Sequence, residues 1–320
     1  METEYIKCNL CGSDKTRLLY KKKDYGLGGY SIEWPVVRCE QCGLCYVNPR
    51  PKKTQLRGLY PPKYFQAMSS QNGDERINER KARFIKRRRP GTLLDVGCGS
   101  GSFLKHMKAR GWDVHGLELS PIPFKEDDCC KVLNSDLKEA AFGERTFDVI
   151  TAWSVLEHMY DPASFLSEAG RVIKEDGELI ILVPNIENTA ARVLKSDDVP
   201  RHLYMFSKKT IGELLSRAGF RIDACFFTGG IIELGHKGLI EYYLMRMSGR
   251  NTDNFFEKMY SFDFSLERRK ENLPVRFKRL GISGAACKMI DHAAGIVLDG
   301  VSLLLGNYGM MVVRAGKAHV

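Results

Sequence analysis

Short apolar runs alternate with helical patterns over the middle of the chain. The run Leu93–Val96 predicts a buried strand, and Phe103, Leu104 and Met107 share one face of a helix over 102–110. Strands followed by helices predict an α/β fold with a parallel sheet. Further strands are predicted at 113–119, 129–134, 147–153, 178–184, 220–228 and 308–314, the last one antiparallel to its neighbour, with helices at 76–89, 161–174 and 207–220.

About eighty residues separate the last two predicted strands, far more than a hairpin needs. Apolar positions within 285–305 recur at helical spacing, so we interpret 231–306 as an inserted helical cap over the acceptor site. The alternative is an amphipathic surface for a membrane or a partner protein. Asp291, His292 and Asp299 argue against a membrane span.

A glycine-rich turn follows the first of these strands. Gly97, Gly99 and Gly101 are two residues apart, where a side chain would block a nucleotide-like ligand. No Gly-Lys-Ser/Thr follows, so the turn is not a phosphate loop, and the spacing is not Gly-x-Gly-x-x-Gly. Asp95 and Glu118, at the ends of two successive strands, favour a ligand with a positive charge and a ribose.

Three motifs resemble those of class I S-adenosylmethionine-dependent methyltransferases: Leu93–Gly101, Gly116–Ser120 and Phe147–His158. The resemblance implies a Rossmann-like seven-stranded methyltransferase sheet. It also implies that Asp95, Gly97 and Gly99 line the methionine end of the donor and that Glu118 holds the ribose. The remaining donor-binding residues implied are Cys98, Leu119, Asp136 (at the adenine amine), Leu137 and Trp153 (bordering the pocket).

Two Cys-x-x-Cys pairs, each followed by glycine, lie near the start of the chain. Cys8 and Cys11 form the first pair, and Cys39 and Cys42 form the second. Two intervening residues let both thiolates reach one tetrahedral ion, so the pairs predict a closed structural Zn²⁺ site in a zinc ribbon. Cys45 is interpreted as a packing residue.

The turn Asn48-Pro-Arg-Pro51 ends this ribbon. Ribbons of this kind, with a similar turn, begin methyltransferases of bacterial polysaccharide and antibiotic-sugar gene sets, and this looser resemblance implies a sugar or natural-product precursor as acceptor. The predicted organisation is a zinc ribbon over 1–60, a linker over 61–75 and a methyltransferase domain over 76–320.

Two stretches supply candidate catalytic residues. Relatives that carry Glu-x-x-Glu-His bind a metal there, but this chain has Ser154 at the first glutamate, so Glu157 and His158 are interpreted as lining the acceptor pocket. In the second stretch, His202 is the preferred base and Tyr204 lies beside it. A purely structural role for each histidine is the competing interpretation.

Charge and composition leave the class of acceptor open. The chain has 320 residues, a net charge of +10 and ten cysteines without a secretory signal, which predicts a cytoplasmic, reducing environment. The run Lys86–Arg89 makes an RNA or protein acceptor the alternative to a small molecule, and peripheral membrane contact stays open. A donor-binding module without turnover is the third class. The sequence does not define an oligomeric state.

Overall fold

The computed structural model describes residues 1–24, 30–60, 75–120, 130–194, 197–232, 236, 238–247, 249 and 284–318. The predicted linker, apart from residue 75, and the charged run at 251–278 lie outside these residues. Within the part of the chain described, no helix is long and apolar enough to cross a membrane.

The first sixty residues form small antiparallel sheets. Strands β2, β3 and β4 pair side by side, and β1 pairs with β5. The elements are β1 (Thr3–Glu4), β2 (Thr16–Asp24), β3 (Tyr30–Cys39), β4 (Cys45–Val47), β5 (Arg50–Pro51), a 3₁₀ turn (Lys53–Gln55) and α1 (Leu56–Leu59).

A seven-stranded sheet forms the centre of the rest of the chain. Its elements, in chain order, are α2 (Glu75–Ala82), β6 (Thr92–Val96), α3 (Ser102–Lys108), β7 (Asp113–Leu117), β8 (Lys131–Leu133), β9 (Phe147–Trp153), a 3₁₀ turn (Leu156–His158), α4 (Pro162–Val172), β10 (Ile173–Pro184), α5 (Thr189–Leu194), β11 (Tyr204–Met205), α6 (Lys208–Arg217), β12 (Phe220–Phe227), α7 (Leu239–Met247), α8 (Gly284–Leu304) and β13 (Met310–Lys317). Of these strands, β11 alone lies outside the sheet.

The strand order of this sheet is β12-β13-β10-β9-β6-β7-β8. Strands β10, β9, β6, β7 and β8 run parallel, and β13 is antiparallel to both of its neighbours. All seven residues of β9 are buried, as a parallel strand covered on both faces requires. The predicted α/β class, the seven strands and the antiparallel last strand are confirmed.

The predicted basic helix is shorter than expected. It was predicted to reach Arg89 but ends at Ala82, because the backbone beyond turns to tighter i−3 hydrogen bonds, from Phe84 to Lys81 and from Ile85 to Ala82, which close the helix. The segment beyond is held by acidic groups instead: Arg87 lies 3.0 Å from Asp148 and 3.1 Å from Asp176. Arg87 is therefore already engaged within the protein.

The junction between α4 and β10 also differs from the prediction. The helix was expected to reach about Lys174, but it ends at Val172, and Ile173 already pairs with Phe147. The register then shifts before Glu178, so 174–177 form an irregularity in one long strand. Glycine at position 177 permits this irregularity, because a Cβ there would lie 2.6 Å from Ile173 Cγ1. The third predicted strand, 129–134, is likewise shorter, at Lys131–Leu133.

The N-terminal sheet is completed by a strand from far along the chain. Strand β11 pairs antiparallel with β4, placing Tyr204 opposite Tyr46 and Met205 opposite Cys45. One hydrophobic cluster joins Leu44 and Tyr46 to Ile150 of the central sheet. The predicted boundary after residue 60 stays a prediction, but packing and hydrogen bonding both cross it.

Helix α8 confirms the predicted helical pattern at 285–305. It packs against α7, and Asp291 on its inner side accepts a hydrogen bond of 2.7 Å from the backbone N–H of Gly238. Its other side is apolar and exposed, with Ile296 at 60%, Val297 at 65% and Leu304 at 88% exposure. That the helix caps an acceptor site stays a prediction.

Candidate functional site

The glycine turn lies where β6 delivers the chain to α3. Gly97 has a φ of +68°, and its backbone N–H donates to the carbonyl of Leu117 at 2.7 Å. A Cβ at this position would lie 2.5 Å from Val155 Cγ2. Both the backbone conformation and the close approach of the 3₁₀ loop therefore require glycine.

Glu118 is held against this turn by backbone groups. One carboxylate oxygen accepts from the N–H of Gly99 at 2.8 Å, and the other accepts from the N–H of Ser120 at 2.7 Å. Strands β6 and β7 are adjacent and parallel, so Glu118 and the glycine turn share the carboxyl edge of the sheet. A fixed carboxylate at this edge is suited to binding a pair of ribose hydroxyls.

Asp95, which is buried, and Lys81, which is half-buried, are opposite charges that influence each other beside the turn. Asp95 accepts from Thr151 Oγ1 at 2.6 Å, and burial raises its pKa to about 6, although Lys81 opposes the shift. Burial lowers the pKa of Lys81, whose ammonium lies 5.7 Å from the ring centroid of Phe103 and 5.5 Å from that of Trp153. The site therefore presents one acidic and one basic side chain. These are complementary to the ammonium and the carboxylate of an amino-acid group on a ligand.

Aromatic rings lie beside the Lys81 ammonium. Trp153 packs edge-on against Phe103, with ring centroids 5.6 Å apart, and its indole N–H is buried without a hydrogen-bond partner among the described residues. Sequence reasoning placed Trp153 here but missed Lys81, which it treated as part of a charged outer face. The lysine's place on α2, opposite Phe103, carries no local signal in the sequence.

The other predicted donor residues lie near the same edge in different settings. Leu119 is 65% exposed and follows Glu118, whereas Leu137 is buried in the hydrophobic core. Asp136 accepts from the N–H of Glu139 at 2.9 Å and so orders its own turn. The buried thiol of Cys98 packs where a Cβ on Gly116 would lie 2.8 Å away. Their roles as donor ligands remain predictions.

The four predicted metal ligands come together. The thiol sulfurs of Cys8, Cys11, Cys39 and Cys42 all lie within 4.8 Å of one another, and two of the pairs are 3.5 Å apart. A tetrahedral Zn²⁺ with bonds of about 2.3 Å implies sulfurs about 3.8 Å apart. Gly12 and Gly43 have positive φ and close the two turns. The buried Cys45 lies outside this group, as predicted for a packing residue.

A second cluster lies where the 3₁₀ turn after β9 meets the segment before β11. One donor atom each from Glu157, His158 and His202 lie within 4.8 Å of one another. Both oxygens of Glu157 are buried without a hydrogen-bond partner in the described residues, and burial raises its pKa to about 8. Glu157 is therefore largely protonated at neutral pH.

The segment 197–206 that carries His202 is clamped to the N-terminal sheet. Arg201 is fully buried, and its guanidinium contacts both oxygens of Asp24 on β2, at 2.8 and 3.1 Å. It also contacts Asp198, whose pKa burial would raise but Arg201 holds well below the usual range. Sequence reasoning missed this pair because 177 residues separate its members.

Tyr204, the third catalytic candidate, lies in this interface. Its hydroxyl accepts from Arg50 Nη1 at 3.2 Å and donates to the carbonyl of Tyr160 at 3.3 Å. The residue is 1% exposed, and burial raises its pKa to about 12. The structure therefore places Tyr204 in the contact between the two sheets, with its hydroxyl occupied.

Sheet topology and glycine turn together define a class. A seven-stranded sheet with one antiparallel strand, and a glycine turn after the central strand β6, is the fold of the class I S-adenosylmethionine-dependent methyltransferases. Residues 70–224 match a family model described as a methyltransferase domain. That stretch, just under half of the chain, therefore belongs to the methyltransferase domain family.

Curated relatives and solved structures agree with this assignment. Ubiquinone biosynthesis O-methyltransferases are similar, from Nitrosomonas europaea (35% identical over 101 residues, 27% of this chain and 40% of the relative) and Serratia proteamaculans (31% over 130 residues, 36% and 53%). The chain thus spans about half, or less, of the length of these relatives.

Two solved structures show the same fold. A SAM-dependent methyltransferase from Archaeoglobus fulgidus has a TM-score of 0.50 at 18% identity, covering 79% of this chain and 99% of its own. Phosphoethanolamine N-methyltransferase 2 from Haemonchus contortus has a TM-score of 0.51 at 14% identity, covering 94% and 71%.

Proposed function

We propose that this protein transfers a methyl group from S-adenosylmethionine to an oxygen of a small-molecule acceptor. The observation that carries the proposal is the carboxyl edge of β6 and β7, where Glu118 is fixed by the N–H of Gly99 beside the buried Asp95. Glu118 would bind the ribose, while Asp95 and Lys81 would meet the ammonium and carboxylate of the methionine end. The bound donor would supply an electrophilic methyl group on a sulfonium.

Two considerations support a small hydroxyl-bearing acceptor. The similar curated relatives are named O-methyltransferases, and the imidazoles of His158 and His202 face each other. His158 follows, by three residues, the Val155 side chain that lies against Gly97. For the acceptor itself we propose a sugar or natural-product precursor, which rests on the ribbon and its Asn48–Pro51 turn. A nucleic-acid acceptor is less well supported, because Arg87 of the basic run is already paired with two carboxylates.

We infer that the four thiols bind a structural Zn²⁺. All four ligand positions are supplied by protein, which leaves no open position for chemistry. The ribbon's contribution would then be to hold the sheet that receives β11 and clamps Arg201.

The proposed function can be tested by donor binding and label transfer. Calorimetry should detect S-adenosylmethionine binding that Glu118→Ala abolishes and Glu139→Ala, an exposed carboxylate, leaves intact. Labelled donor is then incubated with pools of nucleotide sugars and of total RNA. Label in the sugar pool supports the proposal, label in RNA supports the macromolecular alternative, and binding without transfer to either supports a donor-binding module.

A further inference from the structure

The two histidines of the second cluster face each other at right angles. Their ring centroids are 4.7 Å apart with an interplanar angle of 76°, and both residues are half-buried rather than sealed in the core. Each residue therefore keeps part of its surface outside the core.

Hydrogen bonds determine where each ring carries its proton. His158 Nδ1 lies 3.0 Å from the carbonyl oxygen of Arg201 and 3.1 Å from the hydroxyl of Tyr60. Because a carbonyl only accepts, we assign the proton to Nδ1, and the Tyr60 oxygen can accept from the same N–H. His158 Nε2 then holds a lone pair. His202 Nδ1 instead accepts from the backbone N–H of Asp198 at 3.2 Å, so its proton is on Nε2. The pair thus consists of one acceptor and one donor.

Both groups that set the tautomers belong to one short segment, 198–201. Its backbone is held by Arg201, whose guanidinium bridges Asp198 and Asp24. Lys22 Nζ, on the same strand as Asp24, donates to the carbonyl of Asp197. The N-terminal sheet therefore fixes the Arg201 carbonyl and the Asp198 N–H, which form the hydrogen bonds to the two imidazoles.

We propose that His158 Nε2 takes the proton from a hydroxyl acceptor, that His202 is the hydrogen-bond donor facing it, and that Asp24 is a positioning residue for both. This inference rests on the proposed function. As the acceptor oxygen bonds to the methyl carbon, the carbon–sulfur bond breaks and its electrons remain on sulfur. The hydroxyl proton moves to His158 Nε2, and the Arg201 carbonyl then stabilises the imidazolium through Nδ1–H.

The surrounding charges keep the cluster neutral before reaction. Burial lowers the pKa of His158 to about 4, against the attraction of Asp198, and lowers the pKa of His202 well below its ordinary value. Arg201 and Lys22 act in the same direction as burial on His202, and Asp198 acts against it. At neutral pH both imidazoles are uncharged, so the lone pair on His158 Nε2 is available.

The tautomers can be read directly in the zinc-loaded full chain. Long-range proton–nitrogen correlation spectra of protein labelled with ¹⁵N-histidine distinguish protonated from unprotonated ring nitrogens, with His158→Gln and His202→Gln used for assignment. We expect an unprotonated Nε2 on His158 and a protonated Nε2 on His202 at pH 7. A protonated Nε2 on His158 would overturn the proposal, as would a shift of that resonance on adding Mg²⁺, which would show the lone pair bound to a metal.

Asp24→Asn tests the positioning role. Loss of its charge should release the 198–201 segment, so that both histidines show averaged nitrogen shifts, while S-adenosylmethionine affinity stays unchanged. Glu4→Gln is the matched control, because it removes an ion pair to Arg50 in the N-terminal region without touching either histidine. If folded Asp24→Asn kept the wild-type tautomers of His158 and His202, Asp24 would not be a positioning residue. The wild-type spectrum decides the tautomers even if that variant does not fold.

Activity supplies an independent reading. In a pool that accepts label, His158→Gln should lower kcat about 100-fold with donor affinity unchanged, the loss expected for a missing proton acceptor. Label transfer that His158→Gln leaves at the wild-type rate would contradict the proposal. A protein that binds no donor would refute the proposed function, while the nitrogen spectra would still report the tautomers.

Discussion

Asp95 is a buried carboxylate whose charge near neutral pH depends on the groups beside it. Burial keeps its pKa near 6, so in the donor-free protein the carboxyl is held protonated more tightly than in the unfolded chain. The stability contributed by the protonated form is complete below about pH 4 and is lost as the pH rises through about 6. A cation placed beside Asp95 would reverse this preference and release the proton.

S-adenosylmethionine should therefore bind more weakly in acid. At pH 5, one unit below the pKa, about one-tenth of Asp95 is ionised, so affinity by calorimetry should fall about tenfold relative to pH 7.5. Asp95→Asn should bind weakly at both pH values. Asp113→Asn, at the exposed opposite end of β7, should retain the wild-type profile, and a flat wild-type profile would count against the assignment.

Substitution of Gly97 tests whether the turn requires a residue without a side chain. Gly97→Ala places a Cβ 2.5 Å from Val155 Cγ2 on a backbone with φ of +68°, and should lower the free energy of unfolding by about 1–3 kcal/mol and weaken donor binding. Denaturant unfolding measures the first effect. Gly300→Ala, in helix α8 with open space around it, should be neutral or stabilising; an equal loss in both variants would contradict the steric argument.

At the scale of elements, helix α6 shows how a local signal fixes the neighbourhood of the histidines. Ser207 Oγ accepts from the N–H of Thr210 at 3.1 Å, and Thr210 Oγ1 accepts from the N–H of Ser207 at 2.9 Å. Each side chain therefore accepts a hydrogen bond from the other residue's backbone N–H. This cap sets where the helix begins, directly after β11. The clamped segment 197–206 is thus held at both ends.

Removing the cap should cost stability without altering the metal site. Ser207→Ala should lower the free energy of unfolding by about 1 kcal/mol, because a buried backbone N–H loses its acceptor. Ser216→Ala, on the exposed last turn of the same helix, should change it little. Chemical denaturation of the zinc-loaded proteins compares the two, and equal stabilities would show that the cap is dispensable.

Local signals predicted most of the central sheet and part of the candidate site. The glycine turn, Glu118 and the cysteine pairs were found because each lies within a few residues of its own structural context. Strand β11 was missed, since two residues carry no periodicity. Helix α2 was predicted too long, because Phe84 and Ile85 continue the apolar spacing beyond Ala82. The Asp24–Arg201 pair and the tautomers depend on contacts between distant segments, which a single sequence does not record.

At the scale of the whole molecule, the zinc site should stabilise the histidine cluster as well as the ribbon. Because β11 and Arg201 join the N-terminal sheet to the methyltransferase sheet, loss of metal should also loosen the histidine cluster. Elemental analysis should find one Zn²⁺ per chain. Cys39→Ser should lose it and shift the His158 nitrogen resonances, whereas Cys45→Ser should retain the metal; a zinc-free variant with unchanged histidine spectra would refute the coupling.

The shared N-terminal sheet has a consequence for the order in which the protein matures on the ribosome. Strand β4 ends at Val47 and its partner β11 begins at Tyr204, so the 156 residues from 48 to 203 are synthesised between them. The first sheet to emerge is therefore finished only after five strands of the second have been made. We expect the ribbon to bind its metal while the edge of β4 is still unpaired. Chains truncated before residue 204 should therefore aggregate more readily through that edge.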